Sequence, residues 1–210
     1  MADNHNSLSI SIDTSGADRA VESLRHIKGG IQTAVKNATN KAIDGIRTDA
    51  GKEASRVFAV SSKAVKKRMW VTKANDTNLS AEVGRRGPRF YARNFPHTPN
   101  TNPGRRGGRA VFLRPRRDGG GWFINADPTI GKSGVSKAFV ATLPSRGRGV
   151  FRRIGNYRNR LTHARGLSVP EMISDNEVRN IVQTNATRRF NQELENQVNQ
   201  LLQQNTEGFE

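Results

Sequence analysis

KAFVATLPSRGRGVFRRIG, Lys137–Gly155, sets two short apolar runs, each with a phenylalanine, on either side of a turn built from Pro, Ser, Gly and Arg. β-Branched and aromatic residues bounded by turn formers predict paired strands, so KAFVATL and GVFRRI form a hairpin about Pro144–Gly149. The second arm also carries arginine. The stretch is therefore a piece of sheet that can also face an anion, and the flanking segments decide what kind of protein holds it.

On the N-terminal side, Leu8, Ile10 and Ile12 alternate with polar residues, which predicts a short strand. The period then changes: Val21, Leu24, Ile27, Ile31, Val35, Ala38, Ala42, Ile46, Ala50, Ala54 and Val57 recur every three or four residues. This is the stripe of one long helix over about 17–57, with Gly29-Gly30 placed to kink or split it. Alanine dominates its second half and allows a partner helix to approach closely, either in the same core or in a neighbouring subunit. SSKAVKKRM then predicts a short basic helix capped by Ser61 or Ser62.

From Met69 the pattern is β. MWVTKA and LSAEVG flank the turn formers Asn75–Asn78, which predicts a hairpin. Residues 84–120 read as a long Gly/Pro/Arg-rich loop containing one strand, AVFL (110–113), and GWFINA (121–126) is a further strand. The C-terminal part returns to helix. Pro170 suits a first helical turn, Ser174-x-x-Glu177 has capping-box spacing, and Val178, Ile181, Val182, Phe190, Leu194, Val198 and Leu201 repeat at helical period over about 176–203. The order strand, long helix, β region, long helix is α+β. We expect a single domain over 1–210, divided into an N-terminal strand and helix (1–60), a basic β region (61–165, with the loop at 84–120) and a C-terminal helix (166–210). Phe190, Leu194 and Val198 are expected to pack against Val35, Ala38, Ala42 and Ile46, in the same or an adjacent chain.

Charge follows the same division. Residues 1–60 hold 8 Lys/Arg against 7 Asp/Glu, residues 61–165 hold 24 against 4, and residues 166–210 hold 3 against 7, so the chain's net +17 resides in its middle. Like charge on this scale opposes compaction and points to a polyanion or an acidic protein surface as neighbour. The Gly/Arg tracts are the candidates to meet it, through Arg105, Arg106, Arg109, Arg114, Arg116 and Arg117, with Arg146, Arg148, Arg152 and Arg153 from the hairpin. No helix-turn-helix, zinc or RNA-recognition signature accompanies them, so binding would be to a phosphate backbone and not to base sequence.

Catalytic chemistry has little to rest on. The chain has no cysteine, and His5, His26, His97 and His163 show no metal-ligand spacing. ADPTIGKS, Ala126–Ser133, fits a permissive phosphate-loop pattern, but Pro128 has no N–H to give and only a short segment follows before Pro144. The middle of the chain holds only four acids, Asp76, Glu82, Asp118 and Asp127, which is poor material for acid/base or magnesium chemistry. No catalytic residue, metal or cofactor is expected. The N-terminus lacks a signal-like apolar run, and no window is long and apolar enough to span a bilayer, so a soluble product with no membrane partner is expected.

Taken in order, the alanine-rich helix running into SSKAVKKR, the motif KAFVATLPSRGRGVFRRIG, and GLSVPEMI followed by RFNQELENQVNQLL resemble the phage minor tail protein Z family of tail-completion proteins. The resemblance covers most of the chain and is weakest over the loop at 84–120. It implies a non-enzymatic structural virion protein, assembled in the host cytoplasm at the head-proximal end of the tail. It also implies a central β-sandwich or barrel-like body with long basic loops between the helices. Such proteins form a homo-oligomeric ring, a hexamer among the options, around the DNA channel. The implied partners are further copies of the chain, tail terminator, tail tube or neck proteins, and phage genomic DNA. The alternative is a free, non-sequence-specific nucleic-acid-binding protein that uses the Gly/Arg loops.

Overall fold

The computed structural model describes residues 22–27, 29–85, 89–98, 111–124, 138–153 and 160–207. These belong to two compact units, one formed by Met1–Ala54, Ser62–Gly87 and Ile173–Glu210, the other by Ser55–Ser61 and Pro88–Met172. The expected strand at Leu8–Ile12 and the start of the expected first helix lie outside the described residues.

The first unit is built on two long helices. Helix α1, Gly30–Val57, begins where Gly29 takes a φ of +71°, a conformation that glycine alone adopts cheaply. The helical stripe expected to start near residue 17 is thus interrupted at Gly29. Leu24 nevertheless lies in the buried core of this unit, with Ile27 and Ile31 packed against it. Helix α2, Ser62–Lys66, buries Val65 and crosses α1 closely: a Cβ on Gly51 would lie 2.7 Å from the Lys66 side chain. Strands β1, Met69–Thr72, and β2, Glu82–Arg85, pair antiparallel with Trp70 opposite Gly84. The indole covers that glycine so closely that a Cβ there would sit 2.2 Å from the ring. At the turn, Asn75 accepts hydrogen bonds from the N–H groups of Thr77 and Asn78, the local Asx geometry its side chain favours.

The last helix, α4, Asn176–Glu207, runs antiparallel to α1. Asn37 donates to Gln197 at 3.0 Å, Lys41 pairs with Glu193 at 3.4 Å, and Asp49 with Arg189 at 2.8 Å, so the partners descend one helix as they ascend the other. Beside this polar row, Ala34, Ala38 and Ala42 of α1 share a buried cluster with Phe190, Leu194 and Val198, and Val35 packs at its edge. Ile46 is also fully buried. Small residues on α1 receive large ones from α4, which lets the two backbones approach. Gly45 has the same role for charge, since a Cβ there would lie 2.8 Å from Arg189 Cδ; its absence lets the guanidinium reach the buried Asp49 and hold it by two hydrogen bonds, 2.8 and 3.1 Å.

The cap of α4 is not Ser174, as the Ser174-x-x-Glu177 spacing suggests. Asp175 takes that position: its carboxylate accepts from Glu177 N–H at 3.2 Å and its carbonyl from Arg179 N–H at 2.8 Å. The capping box forms one motif earlier, at Ser168-x-x-Glu171 before the short helix α3, Val169–Ile173. There Glu171 accepts from Ser168 N–H and Oγ at 2.6 and 2.8 Å. Pro170 stands inside the first turn of α3, where a missing N–H costs nothing.

The second unit holds two three-stranded antiparallel sheets. Strands β3 (His97–Thr98), β4 (Phe112–Leu113) and β5 (Trp122–Phe123) form one, with β4 central. Strands β6 (Phe139–Leu143), β7 (Gly147–Arg153) and β8 (Leu161–His163) form the other, with β7 central. The hairpin expected at Pro144–Gly149 is present, and Gly147 at φ +64° supplies its turn. The β-sandwich or barrel-like body is not: among the described residues the strands form small separate sheets that neither close nor stack as a sandwich. The reason is local. Several strands are only two or three residues long, against a usual five or so, because the Gly-, Pro- and Arg-rich connections offer few alternating apolar positions. Strands β3 and β8 are too short to leave a period in the sequence.

Candidate functional site

The charge asymmetry persists between the two units. The second unit holds 18 Lys/Arg against 3 Asp/Glu, a net +15, and the first holds 17 against 15, a net +2. The candidate surface is therefore the second unit alone.

The proposed arginines occupy different situations there. Arg105, Arg106 and Arg109 lie outside the described residues. Arg116 bonds Asp118 at 2.9 Å, and the Gly120 N–H together with Arg116 holds the Asp118 carboxyl below the usual carboxylate range. Arg117 donates to the Ser55 carbonyl at 2.9 Å, and Arg114 lies over the Phe112 ring at 5.7 Å. Arg116 and Arg117 thus have internal partners, while Arg148 is exposed and Arg152 half-buried, each without an ion pair among the described residues. The helix-packing residues Val35, Ala38, Ala42, Ile46, Phe190, Leu194 and Val198 are in the first unit.

Strand geometry separates two arginines that adjoin in sequence. In β7 Arg148 pairs with Thr142, Arg152 with Thr162 and Arg153 with Leu161. Alternation puts Arg148 and Arg152 on one face with Val150, and Arg153 on the other with Phe151. Val150 and Phe151 are both buried, so the centre of this sheet is covered on each side and its arginines emerge at the ends.

On the Phe151 face the rings form a column. Phe139 and Phe151 centroids are 6.4 Å apart, Phe151 and His163 4.6 Å, and His163 and Tyr91 4.9 Å. Arg153 stands over Phe139 at 5.3 Å, and at the other end Arg165 and Arg93 stand over Tyr91 at 4.6 and 5.4 Å. Tyr91 is placed by the bridge to Arg165 and by the 3₁₀ turn Ala92–Asn94 that follows it. Gly149 leaves room for the imidazole, since a Cβ there would be 3.3 Å from Nδ1. Burial, and then the charges of Arg93, Arg146 and Arg165, push the His163 pKa down. Its Nδ1 is buried without a partner, so the neutral tautomer with the proton on Nε2 is the one that buries no orphan N–H.

The sequence does not single out Arg93, Arg165 or His163 as members of one site. Leu161, His163 and Arg165 lie at i, i+2, i+4, and Tyr91 and Arg93 at i, i+2, but runs this short announce no strand, and their meeting requires a pairing between segments some 70 residues apart.

Because His163 is held neutral, the folded chain binds fewer protons than the unfolded one just below the ordinary histidine range. Its contribution to stability is full above about pH 6.5 and is lost as pH falls towards and through the depressed value. Denaturant titrations of the wild type at pH 7.5 and 5.0 should show a loss at the lower pH that shrinks in His163→Phe, which keeps the stacking ring and removes the titration. An equal loss in both proteins would assign the acid sensitivity elsewhere.

Among the described residues no three His, Cys, Asp or Glu side chains cluster as metal ligands, and no helix is long and apolar enough to cross a membrane. Comparison with curated proteins and with solved structures returned no match. The model of the family described as prophage minor tail protein Z (GPZ) matches residues 14–207, which takes in both long helices, all three sheets and the basic unit. The chain belongs to the prophage minor tail protein Z family, and is thereby a phage tail structural protein.

Proposed function

We propose that this tail protein completes the head-proximal end of the tail as a homo-oligomeric ring at the head–tail connection, with its arginine-rich unit towards the DNA channel. The observation that carries this reading is the segregation of charge: a net +15 on one compact unit and +2 on the other. Copies of a +15 surface gathered in a ring repel one another, and a fixed polyanion at the centre offsets that repulsion. Packaged DNA supplies uniform phosphates that need no base readout. The near-neutral helical unit, with its own buried core, provides a rigid body that can be held by neighbouring copies and by the tail terminator, tube or neck proteins.

Mass spectrometry of purified particles, with tails separated from heads, tests the placement. The chain should be found in a fixed, small copy number in the tail fraction, and a map of the tail top should place it at the head-proximal end. Absence from complete particles would refute the reading in favour of a free nucleic-acid-binding protein.

A further inference from the structure

The arginines at the Tyr91 end of the ring column have no ion pair with a carboxylate among the described residues. Arg93 and Arg165 lie 5.4 and 4.6 Å from the centroid of one ring, so the two guanidinium carbons are within about 10 Å of each other, inside cation–π range of the same aromatic. Arg146 reaches the strand beneath, donating to the Leu161 carbonyl at 2.6 Å, two residues before His163. Arg165 has a second tether, to the Arg89 carbonyl at 3.3 Å. Among the described residues none of the three pairs with a carboxylate, and the charged groups that act on His163 from the 3₁₀ turn, the hairpin tip and the segment after β8 are all arginines.

Exposed arginines that repel one another can turn to solvent. These are instead tethered by carbonyls and ring faces, beside an imidazole whose favoured neutral tautomer offers Nε2–H as a further donor. The arrangement gathers several donors around His163, with no carboxylate paired to them among the described residues. We propose that the Tyr91–His163 ring pair, with Arg93, Arg146 and Arg165, is a phosphate-binding site for the backbone of nucleic acid. This rests on the reading that DNA passes the basic unit, and gives it a specific point of contact. Guanidinium forks match phosphate oxygens. A duplex presents closely spaced charges on an already ordered backbone, whereas an acidic peptide would first have to be ordered.

The test uses the full-length protein and a random-sequence duplex of about 20 bp, titrated from about 50 mM salt upwards. Arg93→Gln/Arg165→Gln should lower affinity at low salt about tenfold and reduce the log–log salt slope by about 1.8, roughly 0.9 for each phosphate no longer neutralised. In the wild type, where folding of a variant is not at issue, the His163 imidazole titration followed by NMR should move to higher pH on adding duplex, because a phosphate favours the imidazolium. Binding should correspondingly tighten as pH falls through that titration. An unchanged salt slope in the double variant with an unmoved His163 titration overturns the site and leaves the channel reading standing. Poly-glutamate that shifts the His163 titration as far as duplex does, at equal charge concentration, overturns the nucleic-acid assignment. A wild type that binds no duplex at about 50 mM salt overturns both the site and the channel reading.

Discussion

Phe190→Ala is expected to remove about 3–5 kcal/mol of stability, which for a chain of this size lowers Tm by about 10 °C. The phenylalanine is 3% exposed and shares its cluster with Ala34, Ala38 and Ala42 on the facing helix. Those neighbours end at Cβ, so they have no side-chain length with which to fill the space it leaves. Leu24, Leu194 and Val198 of the same cluster would have to repack, or the helices move together, to close it. That movement is opposed by the row alongside, where Asn37–Gln197, Lys41–Glu193 and Asp49–Arg189 fix the register of α1 against α4. The cavity should therefore persist, which places the cost towards the upper part of the range. Exposed Glu195 on the same helix is the control, and its replacement by alanine should stay within about 0.5 kcal/mol. Thermal and denaturant unfolding of the two variants would decide it. A loss below about 1 kcal/mol in Phe190→Ala would mean that α1 and α4 are held together by the polar row and not by this core.

The helices are legible because their signal is local. Alanine every fourth residue in α1 and the Phe190, Leu194, Val198 run in α4 state both the element and its buried face, and the matching of small to large residues states that the two can meet. The antiparallel register is not in either pattern; it depends on Gly45 allowing Arg189 to reach Asp49, a contact across 140 residues. The hairpin at Pro144–Gly149 is legible for the same reason as the helices, since turn and strands adjoin. The shape of the β region is not. A sandwich or barrel is implied by family likeness, whereas strands such as His97–Thr98 and Leu161–His163 exist only through the segments they pair with. The candidate surface shows the same division. Net charge locates the basic region, but sequence adjacency misleads at Arg152 and Arg153, which the pleat sends to opposite faces, and it cannot show that Tyr91 and Arg165 are bridged.

Reversing Arg148 and Arg152 together to glutamate is expected to weaken duplex DNA binding at low salt by about a hundredfold or more. Removing two neutralised phosphates alone would reduce the log–log salt slope by about 1.8, and the new like charges against the phosphates add several kcal/mol of repulsion. Both side chains stand on one face of β7, at either end of the covered Val150, with Thr142 and Thr162 beside them. Neither is tied into an ion pair among the described residues, so their charge is available to a partner and little stability should disappear with it. Arg153 makes the informative comparison. It lies over Phe139 on the other face, so Arg153→Glu removes a cation–π interaction and should cost stability of about 0.5–1 kcal/mol as well as affinity. If DNA held at the phosphate site on the Phe151 face also reaches the arginines of the Val150 face, the double reversal should cost more affinity than Arg153→Glu, and the yield of infectious particles should fall in the same order. If the double variant binds duplex as the wild type does and its particles infect normally, those two arginines face solvent. Loss of infectivity with unchanged DNA affinity would instead assign them to an acidic face of a neighbouring tail protein, for which the same salt titration against that partner should recover the missing slope.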